Sequence, residues 1–280
     1  MEKEIFVIQA DGTREIFDVS KLEESLIRAG ASKKTADDVI AHISSELKDG
    51  MTTHEIYRHT FEILHTDNKP VALSYSLKRA VQELGPTGFP FEKYVAEIFR
   101  ARGMTALTDQ TVTGFCTKHE VDVVAYDDKK LIMVEAKFHN DPMMKSDLKV
   151  ILYVKARFDD LRKMKFRYPE SSQDERELNE AWLVTNTKFS ATAIEYGSCQ
   201  GGVVMIGWNY PPRGNLHDML LEHKLHPITC LTTLNGREKK ALIEQGIVLC
   251  KELVDNQGAM LLAGVNQEDF PKILEEVNML

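Results

Sequence analysis

A chain of 280 residues, 43% of them hydrophobic, is long enough for two or three domains with cores of their own. The net charge of −8 argues against a protein that binds nucleic acid over its whole surface, although it leaves room for a local basic region. No apolar run reaches the length of a membrane span, the first residues lack a signal-peptide pattern, and the four cysteines form no CxxC pair. We therefore expect a cytoplasmic protein with reduced thiols and no membrane contact.

The first 86 residues predict a β-hairpin followed by helices. Two short β-rich runs, 5–9 and 14–18, flank Asp11-Gly12, a pair typical of hairpin turns. Gly85-Pro86 is a turn signal that ends the region, so we place the first domain at residues 1–86. Capping or first-turn residues mark the starts of four helices, namely Ser20 with Glu23, Ser32, Thr52 with Glu55, and Pro70. The fourth helix, which begins at Pro70, is predicted to be continuous.

Residues 87–212 predict a second domain, and 213–280 a small helical subdomain. The second domain has the order α-β-β-β-α-β-α-β, which is typical of a mixed sheet flanked by helices. It opens with an amphipathic helix from 91 to 103, and a hairpin over 121–137 forms its centre. A long helix predicted near 145–165 carries a basic stripe in this otherwise acidic protein. The expected fold class is therefore α/β.

The central hairpin carries charges where buried strands are normally apolar. Glu135 and Lys137 project from one face of their strand and Ala136 from the other, while Asp122 on the neighbouring strand is near enough to face Glu135. Carboxylates are ligands that Mg²⁺ prefers, and a lysine beside them can hold or help deprotonate an attacking water. This combination indicates phosphodiester hydrolysis. The alternative is an exposed Glu135–Lys137 ion pair, with Asp122 capping the entrance of the hairpin.

With these residues assembled, the segment 88–208 resembles the PD-(D/E)xK nuclease superfamily, in particular its restriction-endonuclease-like branch. The resemblance is carried by GFPFEKYVAEIFRARG, HEVDVVAY and MVEAK. It implies that Asp122 and Glu135 hold Mg²⁺ or Mn²⁺, that Lys137 acts at the water, and that Glu92 orients the site. Glu97 is the alternative helical acid, and Glu120 is a further candidate on the strand of Asp122.

The glutamine that many members of this branch carry after the ExK strand has no counterpart between 138 and 165. Contacts to DNA phosphates are therefore assigned to the basic stripe, with Lys145, Lys149, Tyr153, Lys155 and Arg157 as candidates.

Residues 4–85 resemble the ATP-cone, a nucleotide-sensing module, through VIQADGTREIFDVSKLEESLIRAG, GMTTHEIYRHTFEIL and SYSLKRAVQEL. The resemblance implies that ATP or dATP binds beneath a hairpin that covers a helical bundle. The family usually has Lys-Arg before the Asp-Gly turn, where Gln9-Ala10 stand here, so nucleotide binding is weakened, altered or lost. The alternative is a degenerate cone that serves in dimerisation. The implied nucleotide-binding residues are Val7, Gln9, Asp11, Gly12, Glu15, Phe17, Lys21, Thr53, Lys78 and Arg79.

Together these features predict a nucleotide-regulated, metal-dependent endonuclease for double-stranded DNA, of the kind that acts in restriction or defence. Cleavage of both strands by subunits with one site each requires a homodimer or tetramer. The alternatives are a non-enzymatic, nucleotide-responsive DNA-binding regulator and a structure-specific nuclease for branched DNA or RNA. The tail loosely resembles a helix-hairpin-helix, but Glu238 stands where a second glycine is expected, which favours a packing or oligomerisation role.

Overall fold

The computed structural model describes residues 5–9 and 12–280 of the chain. Its N-terminal part is a small sheet, ordered β2-β1-β3, against a helical bundle. A buried cluster that runs from Val7 to Ala72 forms the core of this part. The elements are β1 (Phe6–Ile8), β2 (Arg14–Ile16), α1 (Val19–Arg28), α2 (Lys33–Glu46), β3 (Met51–Thr52), α3 (Thr53–Asp67), α4 (Lys69–Tyr75) and α5 (Leu77–Gln82).

The central part is built on a five-stranded mixed sheet. Its strand order is β12-β10-β6-β5-β4, with β12, β10 and β6 parallel and β6, β5 and β4 antiparallel. Its elements are α6 (Phe89–Ala101), β4 (Thr105–Thr113), β5 (Lys118–Tyr126), β6 (Leu131–Lys137), β7 (Lys145–Ser146), α7 (Leu148–Leu161), β8 (Lys165–Phe166), β9 (Arg176–Glu177), β10 (Glu180–Thr185), β11 (Lys188–Phe189), α8 (Ala191–Gln200) and β12 (Val203–Ile206).

Helices cover both faces of this sheet because its strands are apolar on both sides. Val123 and Val134 pack on α6, in a cluster with Phe91 and Phe99. Val124 and Met133 point the other way and pack on Phe158 of α7. The predicted mixed sheet between helices is therefore confirmed.

The C-terminal part consists of short helices around a separate core. No helix in residues 5–9 and 12–280 has the length and apolar character needed to cross a membrane. The elements are α9 (Leu216–Glu222), a 3₁₀ turn (Ile228–Cys230), α10 (Gly236–Glu244), α11 (Glu252–Asp255), α12 (Gln257–Leu262), a second 3₁₀ turn (Gln267–Asp269) and α13 (Phe270–Asn278).

The three parts share packing at α5 and α9. Leu77, Val81 and Leu84 lie in the same buried cluster as α6 and the sheet, and so do Leu216 and Leu220 of α9. The last helix of the N-terminal part is thus built into the central core, which makes it a physical connection between the two.

Several sequence-based predictions of helix starts are confirmed. Ser32 caps α2 by accepting from the backbone N–H of Thr35, and Thr52 and Glu55 form a reciprocal capping box at α3. Pro70 lies in the first turn of α4.

Other predicted boundaries are wrong. The capping box at Ser20 does not form, because Asp18 caps α1 and accepts from the backbone N–H of Ser20 at 2.9 Å. The predicted single helix from Pro70 is interrupted at Ser76, whose hydroxyl donates to the carbonyl of Leu73 at 2.8 Å, a local bond that competes with helix geometry. The helix predicted near 145–165 begins only at Leu148, after its cap Asp147.

The C-terminal part is organised around the buried carboxylate of Glu276, which is fully excluded from solvent. It accepts bonds from the backbone N–H and hydroxyl of both Thr232 and Thr233, at 2.6–3.0 Å. Burial alone would raise the pKa of Glu276, but these four bonds hold it below its usual range. Lys69 of α4 lies 4.0 Å from the same carboxylate and connects the N-terminal part to it.

Glu276→Ala should destabilise the protein by about 3–5 kcal/mol, because four donors lose their buried acceptor. Thermal unfolding monitored by circular dichroism measures the change. The exposed neighbour Glu275→Ala is the matched control and should leave the melting temperature nearly unchanged. Equal melting temperatures for the two variants would show that the Glu276 network contributes nothing to stability.

Candidate active site

The register of the β5–β6 hairpin brings Asp122 and Glu135 opposite each other. Val123 pairs with Val134, so Asp122 and Glu135 are the next residues along the two antiparallel strands. The backbone N–H of Ala136 donates to Asp122 Oδ2 at 2.7 Å, which holds the carboxylate against the end of β6. The two predicted metal-binding residues therefore lie side by side on the face of the sheet that α7 covers.

Burial, followed by repulsion among the acidic groups, controls the ionisation of this cluster. Burial, then the charge of Glu135, raises the pKa of Asp122 to about 7, and Glu92 on α6 adds to the effect. The pKa of Glu92 is itself raised, by burial and by Asp109 and Glu135. Glu92 thus lies in the electrostatic range of both strand carboxylates. The alternative helical acid, Glu97, forms an ion pair with Arg100 instead.

Arg157 of α7 supplies the positive charge nearest to Glu135. Its Nη1 lies 2.5 Å from Glu135 Oε2, and both side chains are mostly buried, with 12% and 18% exposed. Its Nη2 donates to the hydroxyl of Tyr153, whose ring lies under the guanidinium at 4.5 Å. The structure thus places Arg157, a predicted contact to DNA phosphates, against a candidate metal ligand.

Asp109 is an acidic residue that sequence reasoning missed. Its neighbours Thr108 and Gln110 pair with Val123 and Val121, so Asp109 lies opposite Asp122 on the next strand. Its φ of 56° is in the left-handed region, which is uncommon for residues with a side chain, although aspartate adopts it more readily than most. No motif marks Asp109, and only strand register shows that it joins the cluster.

The remaining predicted residues of this domain are more exposed. Lys137 ends β6, two residues beyond Glu135 and on the same face, and its side chain is exposed. Lys145 on β7 and Lys149 on α7 are exposed as well. Lys155 pairs with Asp159 at 2.6 Å, and Glu120 faces solvent on β5.

The carboxylates fit a hard divalent cation. Within the described ranges, no cluster of three or more His, Cys, Asp or Glu side chains is arranged to hold a metal. Mg²⁺, however, is commonly bound through one or two carboxylates, with water and substrate phosphates as its other ligands. Asp122 and Glu135 are adjacent, partly buried and mutually repulsive, and a cation between them would relieve that repulsion.

A second candidate site is a cavity of about 460 Å³ between the N-terminal and central parts. Three of the residues predicted to bind nucleotide, Gln9, Lys78 and Arg79, line it. Arg28 of α1 and the aromatic side chains of Tyr57 and Tyr75, which sequence reasoning missed, also lie in its wall. The two tyrosine rings stack with centroids 5.4 Å apart.

The other predicted nucleotide-binding residues do not line this cavity. Val7 is buried in the core of the N-terminal part, which Phe17 also contacts, and Gly12 adopts a φ of 80°. Lys21 and Glu15 form an ion pair at 3.2 Å, and Thr53 is the first residue of α3. Asp11 lies outside the described residues.

Gln82, at the end of α5, connects this cavity to the segment that follows Lys137. It lines the cavity, and its side-chain amide donates to the carbonyls of His139 and Asn140 at 2.6 and 2.5 Å. Its carbonyl accepts from Asn186, which in turn bonds the backbone of His139. A continuous set of hydrogen bonds thus runs from the cavity to the end of the strand that carries Glu135.

Comparison with known proteins gives three family matches along the chain. The ATP cone domain matches residues 5–84, a restriction endonuclease family matches 85–208, and the AF1548-like C-terminal family matches 226–280. Glu238, which stands where a helix-hairpin-helix would have a second glycine, forms a capping box with Asn235 at the start of α10.

Individual relatives support the same assignment. An uncharacterized protein of Archaeoglobus fulgidus is 34% identical over 160 residues, which is 57% of this chain and 83% of that protein. The crystal structure of AF1548, a protein of unknown function, matches 69% of this chain and 97% of its own, with a TM-score of 0.54 and 29% identity. The MspJI restriction endonuclease, solved with a 27-mer oligonucleotide, matches 62% of this chain and 36% of its own, with 15% identity and a TM-score of 0.28, which is too low to support an argument. The chain therefore belongs to the family of the Archaeoglobus protein, with an ATP-cone domain joined to a restriction-endonuclease-like domain.

Proposed function

We propose that this protein is a nucleotide-regulated, divalent-metal-dependent endonuclease that hydrolyses phosphodiester bonds of double-stranded DNA. The observation that carries the proposal is the pairing of Asp122 with Glu135 on adjacent strands, with the pKa of Asp122 raised to about 7. Two repelling carboxylates at the end of a buried hairpin are costly unless they bind a cation or substrate. The match of the domain to a restriction endonuclease family supports the same chemistry.

Each residue of the cluster has a role in this proposal. Asp122 and Glu135 would hold Mg²⁺ or Mn²⁺, which when bound would polarise the phosphate and lower the pKa of a water ligand. Lys137 lies on the same strand face as Glu135 and would orient the attacking water. Arg157 offsets the charge of Glu135, and Glu92 positions the carboxylates from α6.

The proposed DNA substrate follows from the exposed lysines, and the proposed oligomer follows from the number of carboxylate clusters in each chain. The exposed lysines Lys145 and Lys149 would contact DNA phosphates near the carboxylates, and Lys155 would join them if it left Asp159. Because the described residues of one chain form one such cluster, cleavage of both strands would require a homo-oligomer. ATP or dATP would act through the cavity at Gln9, Lys78 and Arg79, from which Gln82 reaches the end of the catalytic strand.

In the presence of Mg²⁺ or Mn²⁺, Glu135→Gln should cleave supercoiled plasmid at least about 100-fold more slowly than the wild type, because one carboxylate ligand loses its charge. Gel electrophoresis of the plasmid, with and without ATP and dATP, measures the rate and any nucleotide effect. Glu195→Ala, an exposed glutamate on α8, is the control and should cleave at the wild-type rate.

Two outcomes would contradict the nuclease proposal. Equal cleavage by Glu135→Gln and wild type would remove the carboxylates from the chemistry. No cleavage of plasmid, branched DNA or RNA by the wild type, together with intact DNA binding, would favour a non-enzymatic regulator.

The raised pKa of Asp122 predicts a pH-dependent stability of the metal-free protein. An unfolded aspartate ionises near pH 4, whereas Asp122 in the folded protein does so near 7. The folded state thus binds this proton more tightly, and the free energy of unfolding should fall as pH rises from about 4 through about 7. Asp122→Asn mimics the neutral carboxyl and should raise the melting temperature at pH 8 but have little effect at pH 5.

Calorimetry in EDTA at both pH values measures this difference, with the exposed turn residue Asp128→Asn as the control. Added Mg²⁺ should stabilise the wild type at pH 8 and stabilise Asp122→Asn much less. If Asp122→Asn and the wild type lost stability equally between pH 5 and pH 8, Asp122 would not be the group responsible.

A further inference from the structure

The cavity between the two domains has an unusual charge for a protein that is acidic as a whole. The described residues that line it include four cations, Arg28, Lys78, Arg79 and Lys188, and no carboxylate. Its volume of about 460 Å³ is within the range of small-molecule sites. Two of these cations already have carboxylate partners that do not line the cavity, Arg79 with Glu83 at 2.9 Å and Arg28 with Asp218 at 3.9 Å. Lys78 and Lys188 are therefore the pair whose mutual repulsion an anion in the cavity would relieve. The lining therefore indicates an anionic ligand.

The cations come from both domains. Arg28, Lys78 and Arg79 belong to the ATP-cone, whereas Lys188 lies on β11 of the nuclease domain. Lys78 and Lys188 line the same cavity, and both side chains are exposed to solvent. Desolvation, and then the charge of Lys188, lower the pKa of Lys78, as expected for two ammonium groups within electrostatic range. The cone cannot form this lining alone.

Lys188 is held in place by rigid neighbours. The backbone of Lys188 pairs with that of Lys145 between β11 and β7. The carbonyl of the preceding residue, Thr187, accepts a bond from the backbone N–H of Trp208 at 2.8 Å. Asn186, one residue earlier still, is buried and bonds Gln82 of the cone. The position of Lys188 relative to Lys78 is therefore determined by the contact between the domains.

A second contact in the lining also joins two parts of the chain. The guanidinium of Arg28 lies 3.3 Å from Nδ1 of His217 on α9 and 3.9 Å from Asp218. Burial and the charge of Arg28 lower the pKa of His217 to about 4, so this ring is neutral and accepts the bond. Tyr57 and Tyr75 add aromatic surface to the lining, and Arg79 lies over the Tyr57 ring at 5.5 Å.

We propose that this cavity is a composite site for the polyphosphate of a nucleotide such as ATP or dATP, and that the nuclease domain contributes Lys188 as one of its phosphate ligands. The inference rests on the nucleotide regulation proposed above, and adds that a nucleotide contacts both domains at once. The side chain of Gln9 in the same lining is uncharged, and Lys188 supplies a cation from the neighbouring domain. Nucleotide binding then directly stabilises one arrangement of the cone against the nuclease.

The test is calorimetric titration of the full chain with ATP, repeated with dATP. Lys188→Ala should weaken binding about tenfold, as expected for the loss of one charge-assisted contact. Lys78→Ala should weaken binding to a similar degree, and Lys188→Arg, which keeps the charge, should retain most of the affinity. Lys129→Ala removes an exposed lysine from the turn between β5 and β6, outside the cavity, and should bind as the wild type does.

Each outcome decides a different point. If Lys78→Ala weakens binding and Lys188→Ala does not, the cone holds the nucleotide alone and the composite site is wrong, although nucleotide regulation stands. If the wild type binds neither ATP nor dATP, the composite site and nucleotide regulation both fail, while the plasmid assay still decides the nuclease activity. Equal weakening by Lys188→Ala and Lys129→Ala would show only a general effect of net charge and would also overturn the proposal.

Discussion

The central constraint in this protein is the register that places two carboxylates opposite each other at the end of a buried hairpin. Aliphatic residues on both faces of β5 and β6 hold the strands between α6 and α7, so Asp122 and Glu135 cannot separate without disturbing the core. Burial, and then the repulsion from Glu135, raise the pKa of Asp122, and Arg157 offsets the effect in part. Electrostatic repulsion between partly buried carboxylates is typical of sites that bind a cation or act on a charged substrate.

The basic residues of α7 lie in two different environments along the helix. Arg157 faces the sheet and pairs with Glu135, while Lys149 faces solvent. The two residues are eight positions, or about two turns, apart along α7, so Lys149 lies in its first turn while Arg157 lies far enough along the helix to pair with Glu135. A positive stripe in sequence is thus divided in space between an internal counter-charge and a surface suited to phosphate contacts.

The ATP-cone is physically connected to the nuclease domain rather than joined by a simple tether. Helix α5 packs into the central core, and Gln82 bonds the backbone of His139, just beyond the strand that carries Glu135. The cavity between the domains takes cations from both. A ligand bound there would alter the same contacts that position His139 and Asn140, which gives nucleotide binding a short route to the active site.

The sequence by itself determined the order of the domains, the mixed α/β fold and the pairing of Asp122 with Glu135, because these depend on periodicity, turn signals and strand alternation, which are local. It also marked two helix caps correctly, at Ser32 and Thr52. The sequence could not show that Asp109 joins the carboxylates, that Arg157 pairs with Glu135, or that Lys188 lines the same cavity as Lys78. Those relations join residues on different elements or domains, far apart along the chain, and only the packing of strands, helices and domains brings them together.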